Sequence, residues 1–258
     1  MPTDKEINDA KDYLLLRLRT EDLAAKNLRD ILESAARRIV AIARKYNIPP
    51  ALFRFSADPS LHKEVLEVLA TLRDALYDEI ESLDTFPSEE GDYTATAVTA
   101  KNHGKTFRER LAIYTNRWGY EIEATIAAAG LQGVKDQNAI LDGIRDYMDR
   151  PYDNPWVKAS MGKGEAVRLR ALPHFGSGTA TASALALTLL LQQTVADGWM
   201  QNWMRLNSGK RGFYVMRGSS YPCELCDAVT GVWYPASETH ILPVHPRCCC
   251  YMVFTNEI

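Results

Sequence analysis

The stretch YPCELCDAVTGVWYPASETHILPVHPRCCCYMVF, residues 221–254, holds all five cysteines of the 258-residue chain. It begins with a C-x2-C pair, the spacing at which a tight turn aims two thiolates at one tetrahedral ion. A histidine and three consecutive cysteines follow, and zinc prefers such ligands. Because a second ligand cluster makes the C-x2-C pair far more specific, the pattern predicts a structural zinc site. Five residues of this pattern are candidate ligands, and four of the five are expected to bind the metal. The candidates are Cys223, Cys226, His245, Cys248 and Cys250.

The second half of this motif allows two ligand sets. If residues 245–248 close a turn, His245 and Cys248 can complete the site. If residues 248–250 instead begin a strand, side chains alternate between its faces, so Cys248 and Cys250 share one face and Cys249 points to the other. We interpret Cys249 as a small buried hydrophobic residue rather than a ligand.

Three other interpretations of the cysteines are weaker. Disulfides are disfavoured, because no secretory signal is recognisable at the N-terminus and the chain is expected to be made in the cytosol. The C-x2-C pair also fits half of the zinc deaminase signature, but the upstream H-x-E, residues 62–64, falls in a predicted helix of a different region. A Cys-His nucleophilic site would pair Cys248 or Cys249 with His240 or His245, and no third, orienting group is evident.

The rest of the chain has the pattern of a helical protein, because apolar residues recur at helical spacing. Residues 5–46 form either one long helix or two that meet near Thr20. A second helix should start after residues 58–60 with Ser60 as its cap, and Gly130 should end the third. The predicted helices cover residues 5–46, 60–83, 105–129, 136–148 and 179–206.

From Arg211 onward the residue types become typical of β-strands, with short strand-like runs over residues 213–216 and 251–254. The predicted fold is therefore mainly α. It comprises a helical N-terminal body over residues 1–160 and a small α+β zinc-binding C-terminal unit over residues 161–258.

Composition limits the classes of partner. The chain is 46% hydrophobic, which suffices for a proper core, and its formal net charge of -3 gives no global reason to expect nucleic acid or an anionic membrane as the main partner. The longest apolar run, residues 184–191, is too short to span a bilayer. We therefore expect no membrane partner.

The C-terminal stretch resembles the signature of the phage Mu F-like family, the minor head or head-morphogenesis proteins of tailed phages and prophages. That signature is a C-x2-C, a glycine and an aromatic residue a few positions later, and a proline-rich approach to H-P-x-C-x-C. Cys249 stands where the family often carries arginine, and the helix over residues 179–206 lacks the Arg-Thr-Glu type of run common in relatives. The matching residues here are Cys223, Cys226, Gly231, Tyr234, Pro243 and residues 245–250.

The resemblance implies a non-enzymatic component of the virion head, made in the bacterial host cytoplasm and acting in head assembly or DNA delivery. It implies association with the portal or other head proteins; packaged DNA and a second copy of the chain are further candidate partners. The alternative is a zinc-dependent enzyme or toxin-like effector acting on nucleic acid or protein, which would keep one metal position open. A nucleic-acid-binding zinc module is disfavoured, because few basic residues flank the cluster.

Overall fold

A computed structural model describes residues 2–83, 106–150, 183–238, 241–245 and 247–256. These residues form six α-helices and a three-stranded antiparallel sheet near the C-terminus, which confirms the predicted mainly α class. Two short 3-10 helices, Pro50–Leu52 and Phe55–Ala57, separate the first two α-helices. The helices are α1 (Asp4–Lys45), α2 (Pro59–Glu81), α3 (Phe107–Leu131), α4 (Gln137–Asp149), α5 (Ser183–Leu206) and α6 (Glu224–Asp227). The strands are β1 (Gly212–Met216), β2 (Trp233–Pro235) and β3 (Tyr251–Thr255).

The described residues group into two compact units. Unit one comprises those within residues 1–27, 78–110 and 188–258, and unit two comprises those within residues 28–77 and 111–187. Unit one thus contains both the first part of α1 and the C-terminal sheet. The predicted boundary between residues 160 and 161 lies outside the described residues, so the division into two domains at that point stays a prediction.

The helix α1 is continuous through Thr20, which decides between the two alternatives for this region. The Thr20 hydroxyl donates to the carbonyl of Leu16 over 3.0 Å, so the polar side chain is satisfied within the helix. In unit two, apolar residues that recur at helical spacing along α1 are buried, because they supply one face of the core. Among them are Leu28, Leu32, Ala35 and Ile39.

The start of α2 differs from the prediction. The expectation that Ser60 is the cap is wrong, because Oδ1 of Asp58 accepts hydrogen bonds from the N–H groups of Ser60 (2.8 Å) and Leu61 (3.0 Å). Pro59 takes the first helical position, where its missing N–H is not needed. The aspartate carboxylate therefore caps α2.

Gly130 does not end α3, which continues to Leu131. A Cβ atom at Gly130 would lie 2.0 Å from the backbone nitrogen of Ala51, so glycine is required for this close approach. The left-handed residue after the helix is Gly133, with a φ of 80°. The prediction that a glycine follows α3 was correct, but this glycine is Gly133, three positions after Gly130.

A buried carboxylate of α3 caps the N-terminus of α5. The Ser183 N–H lies 3.2 and 3.1 Å from the two carboxylate oxygens of Glu121, and the Ser183 hydroxyl donates to Oε1 over 2.7 Å. The Arg117 Nε lies 3.4 Å from Oε1 and offsets the negative charge. Burial raises the pKa of Glu121, although the hydrogen bonds from Ser183 oppose this effect.

The sheet has the order β2-β1-β3, and both strand pairs are antiparallel. Because side chains alternate along a strand, the two faces of β3 bury different neighbours. Met252 and Phe254 lie in a core with the buried cysteines, whereas Tyr251 and Val253 lie in a core with residues of α1. The predicted runs 213–216 and 251–254 lie in β1 and β3, but β2 and α6 escaped prediction because each is very short.

Among the helices of the described ranges, none combines the length and the apolar character that a bilayer-spanning helix requires.

Replacement of Glu121 by alanine should lower the free energy of unfolding by about 1–3 kcal/mol, because the start of α5 loses its buried acceptor. Chemical denaturation of the full chain measures this change. Glu67→Ala, at an exposed position on α2, is the matched control and should change the value by less than about 0.5 kcal/mol. Equal effects of the two substitutions would contradict the capping role.

The raised pKa of Glu121 also predicts a pH dependence. The folded chain holds this proton more tightly than the unfolded chain, whose carboxyl has an ordinary pKa of 4.5. Its stabilising contribution is therefore complete below that pH and is lost as the pH rises through the folded pKa. Glu121→Gln should gain stability relative to the unsubstituted chain as the pH rises through this window. A constant difference across the window in denaturation experiments would rule this out.

Candidate metal centre

The C-x2-C pair lies at a short helical turn. Cys223 is the residue before α6, Cys226 lies within it, and the Asp227 N–H donates to the Cys223 carbonyl over 2.9 Å. Arg217, just after β1, fixes this loop, because its guanidinium donates to the carbonyls of Tyr221 and Cys223 and to the Asp227 carboxylate. The backbone of the first half-site is thus held by one charged side chain.

The second half of the motif is a turn that leads into β3. The Cys248 N–H donates to the His245 carbonyl over 3.1 Å, and Arg247 adopts a left-handed φ of 61°. Cys250 directly precedes β3 and is buried, as Cys248 is, whereas Cys249 is only partly buried. The alternative of a turn over residues 245–248 is therefore confirmed, whereas the strand begins at Tyr251 and not at residue 248.

The two halves of the motif converge in space. The sulfur atoms of Cys223 and Cys226 lie 3.4 and 3.2 Å from Nε2 of His245, and those of Cys226 and Cys248 lie 3.8 Å apart. The donor atoms of Cys223, Cys226 and His245 form one group within 4.8 Å, and those of Cys226, Cys248 and Cys250 form another. Because Cys226 belongs to both groups, the five residues form one Cys/His cluster that can hold a metal ion.

The spacing of these atoms fits a tetrahedral ion. Zinc binds sulfur at about 2.3 Å and imidazole nitrogen at about 2.0–2.1 Å, which places neighbouring ligands about 3.5–3.8 Å apart. The three distances given above are close to this range. The five cysteines are free thiols, so the disulfide interpretation is not needed to explain their proximity. Five donors are available for four positions.

The buried sulfurs of the cluster need a cation before they can ionise together. A hydrogen bond from Cys250 lowers the pKa of Cys248, and a hydrogen bond from the Cys226 backbone lowers that of Cys223. Burial and the adjacent Cys248 thiolate then raise the pKa of Cys226, and the hydrogen bond to Cys248 raises that of Cys250. A divalent ion removes this obstacle, because it binds thiolates and offsets their charge.

Cys249 lies outside both groups of donor atoms, as predicted. Its sulfur lies 3.5 Å from the carbonyl oxygen of Arg247, and it is partly exposed rather than fully buried. The backbone of Cys249 has a separate constraint, since a Cβ atom at Gly218 would lie 1.9 Å from the Cys249 carbonyl oxygen. Only glycine permits this close approach next to the cluster.

Two charged residues beside the cluster escaped the sequence predictions. Arg17 and Glu21 of α1 are 1% and 2% exposed, and Nε of Arg17 lies 3.1 Å from Oε1 of Glu21. A second guanidinium nitrogen of Arg17 donates to the carbonyl of Cys248. Burial raises the pKa of Glu21 to about 7, although Arg17 opposes the shift. Helical spacing was the available signal, because both residues lie on the stripe of Ala10, Leu14 and Ala24, which are buried.

The two weaker enzymatic interpretations gain no support from the described residues. His62 and Glu64 belong to unit two, whereas the cysteines belong to unit one, and Glu64 is engaged by Lys45 and Tyr46. For a Cys-His nucleophile, His240 lies outside the described residues. His245 has its Nε2 directed to the two cysteines of the C-x2-C pair.

Comparisons with known proteins add no family assignment. No protein-family model, no curated protein and no solved structure matches the chain. The likeness to the phage Mu F-like family therefore rests on the residues of the motif, and the function argued from it is a proposal.

Cys226 is the residue common to both groups of donors, so Cys226→Ser should lower the affinity for metal sharply, because the four remaining donors belong to two groups that no longer share a ligand. Cys249→Ser is the matched control and should leave binding unchanged, because Cys249 is not among the gathered donors. Metal analysis of reduced protein gives the stoichiometry, and the visible spectrum of a Co²⁺-substituted sample reports thiolate ligation. Equal loss of metal in both variants would contradict this assignment, and so would no metal in the unsubstituted chain.

Proposed function

We propose that the cluster binds one zinc ion with a structural role. Thiolate and imidazole are the donors that zinc accepts in closed tetrahedral sites, and three of the sulfurs are buried. Zinc would supply folding energy to a part of the chain that has only short strands, of five, three and five residues. Four of Cys223, Cys226, His245, Cys248 and Cys250 would be the ligands.

We further propose that the chain is a minor head protein of a phage or prophage, acting in head assembly or DNA delivery. The observation that carries this proposal is that the cysteines and the histidine of the C-x2-C and H-P-x-C-x-C halves, Cys223, Cys226, His245, Cys248 and Cys250, meet in one cluster. Two other signature positions also have local reasons in this fold. Gly231 adopts a φ of 77° in the turn before β2, and the ring of Tyr234 stacks on that of Phe213 at 5.7 Å.

A structural role accounts for the site better than catalysis does. A catalytic zinc keeps one position for water beside an acid or base, whereas this cluster offers five protein donors for four positions. A cleft of about 720 Å³ in unit two is lined by residues of α1, α3 and α4, and none of the five cluster residues lines it. The non-enzymatic function is therefore preferred over a zinc-dependent enzyme or toxin-like effector.

The partner we propose is the portal or another head protein, inside a virion head assembled in the bacterial host cytoplasm. Packaged DNA and a second copy of the chain are secondary candidates. The formal net charge of -3 favours a protein partner over DNA as the main contact, because phosphate binding depends on clustered basic residues.

The zinc-loaded full chain should co-purify with the portal protein encoded in the same genomic neighbourhood. Deletion of the gene for this chain, with the portal gene intact, should give defective heads. Complementation with Cys249→Ser should restore normal heads, whereas complementation with Cys226→Ser should not, because only the latter loses a cluster donor. Electron microscopy of the particles and a pull-down with the portal measure these outcomes. Normal heads in the deletion strain, with no association with the portal, would rule out the assembly role.

A further inference from the structure

We propose that Arg17 of α1 is the charge-compensating residue of the metal centre, and that metal binding and docking of the first part of α1 therefore stabilise each other. This inference rests on the metal site proposed above. It concerns a residue far from the cysteine motif in sequence, since Arg17 and Cys248 are separated by 231 positions.

The surroundings of Arg17 place its charge at the cluster. The side chain is 1% exposed, and one nitrogen of its guanidinium donates to the Cys248 carbonyl. Its Nε faces Glu21 at 3.1 Å, while its Nη1 has no hydrogen-bond partner among the described residues. A nearly fully buried guanidinium is costly unless a negative charge offsets it. The cysteine cluster is the neighbouring group that becomes more negative when metal binds.

The net charge of the metal ion together with its thiolate ligands explains why a positively charged side chain is needed beside the cluster. A divalent ion with three or four thiolates carries a net charge of about -1 or -2, and the bound state requires that the thiols lose their protons. Three of the donors, Cys226, Cys248 and Cys250, are almost completely buried, so water screens this excess charge poorly. The guanidinium supplies an opposite charge at fixed position, as residues beyond the direct ligands do in other metal sites.

Arg17 reaches this position because the first part of α1 packs on α5 and on β3 of the C-terminal sheet within unit one. Tyr13 stacks on Trp203 at 4.4 Å and meets Trp199 edge-on at 4.9 Å, and its hydroxyl donates to the Trp199 carbonyl over 3.0 Å. The next residue, Leu14, lies in a buried core with Val253 of β3. These contacts fix the position and the rotation of the first part of α1, so that Arg17 faces the cluster.

Metal binding and helix docking are therefore linked. If the docked helix favours the metal-bound cluster through the charge of Arg17, the metal-bound cluster favours the docked helix by the same free energy. The metal centre thus connects the C-terminal motif to the N-terminal helix rather than stabilising the C-terminal stretch alone.

The test measures the affinity of the full chain for Zn²⁺ by competition with a chromogenic chelator. Arg17→Met should lower the affinity about 10- to 100-fold, as loss of a supporting residue does in other metal sites. Arg17→Lys, which keeps the charge, should recover most of that loss. Arg19→Met, at an exposed position on the same helix, is the control and should leave the affinity unchanged.

A fourth variant separates the metal centre from the ion pair. Glu21→Gln removes the negative partner of Arg17 and should not lower the Zn²⁺ affinity, because the positive charge at the cluster remains. If Arg17 serves only the ion pair, Glu21→Gln and Arg17→Met will have equal effects, which would overturn the proposal. Equal affinities of Arg17→Met and the unsubstituted chain would also overturn it.

Hydrogen exchange tests the linkage to α1. At saturating Zn²⁺, Arg17→Met should exchange faster than the unsubstituted chain within residues 10–24, while Arg19→Met should not. Unchanged exchange in Arg17→Met would refute the linkage. Failure of the unsubstituted chain to bind Zn²⁺ would instead refute the metal site itself, so the two failures are distinguishable.

Discussion

Several sulfur atoms cannot be buried side by side as thiolates unless a cation lies among them. In this chain Cys226 lies at the centre of the cluster, because its sulfur lies 3.2 Å from Nε2 of His245 and 3.8 Å from the Cys248 sulfur. Burial and the adjacent Cys248 raise the pKa of Cys226, and the hydrogen bond to Cys248 raises that of Cys250, whereas hydrogen bonds lower the pKa values of Cys223 and Cys248. A divalent ion relieves the repulsion, and the fold around it then needs to supply only position and the remaining charge.

The elements of unit one are arranged to satisfy this constraint. Arg217 holds the loop of the C-x2-C pair through backbone carbonyls, and Gly218 allows the chain to approach the Cys249 carbonyl closely. The sheet presents Met252 and Phe254 to the core of the cysteines and Val253 to the core of α1. Because side chains alternate along β3, one face of this strand packs against the proposed zinc site and the other face packs against the first part of α1.

The predictability of the fold follows from the range of the interactions involved. Helix periodicity and the mainly α class are set by nearby residues, and they were predicted correctly. The exact cap of α2 was not, because Asp58 and Ser60 are both good capping residues and only the backbone path decides between them. The role of Gly130 depends on the approach of Ala51, which is a tertiary contact. The strand β2 is too short for its pattern to be recognised, and it exists through pairing with β1.

The sequence by itself determined the helical character of most of the chain and the identity of the five metal-binding candidates, because these depend on residue type and local spacing. Only the tertiary structure decided that both halves of the motif meet around Cys226, and that Arg17 and Glu21 are buried next to them. Helical periodicity can mark Arg17 as a core position, but it cannot name the group that it faces. That group is supplied by residues more than 200 positions away, where local patterns carry no information.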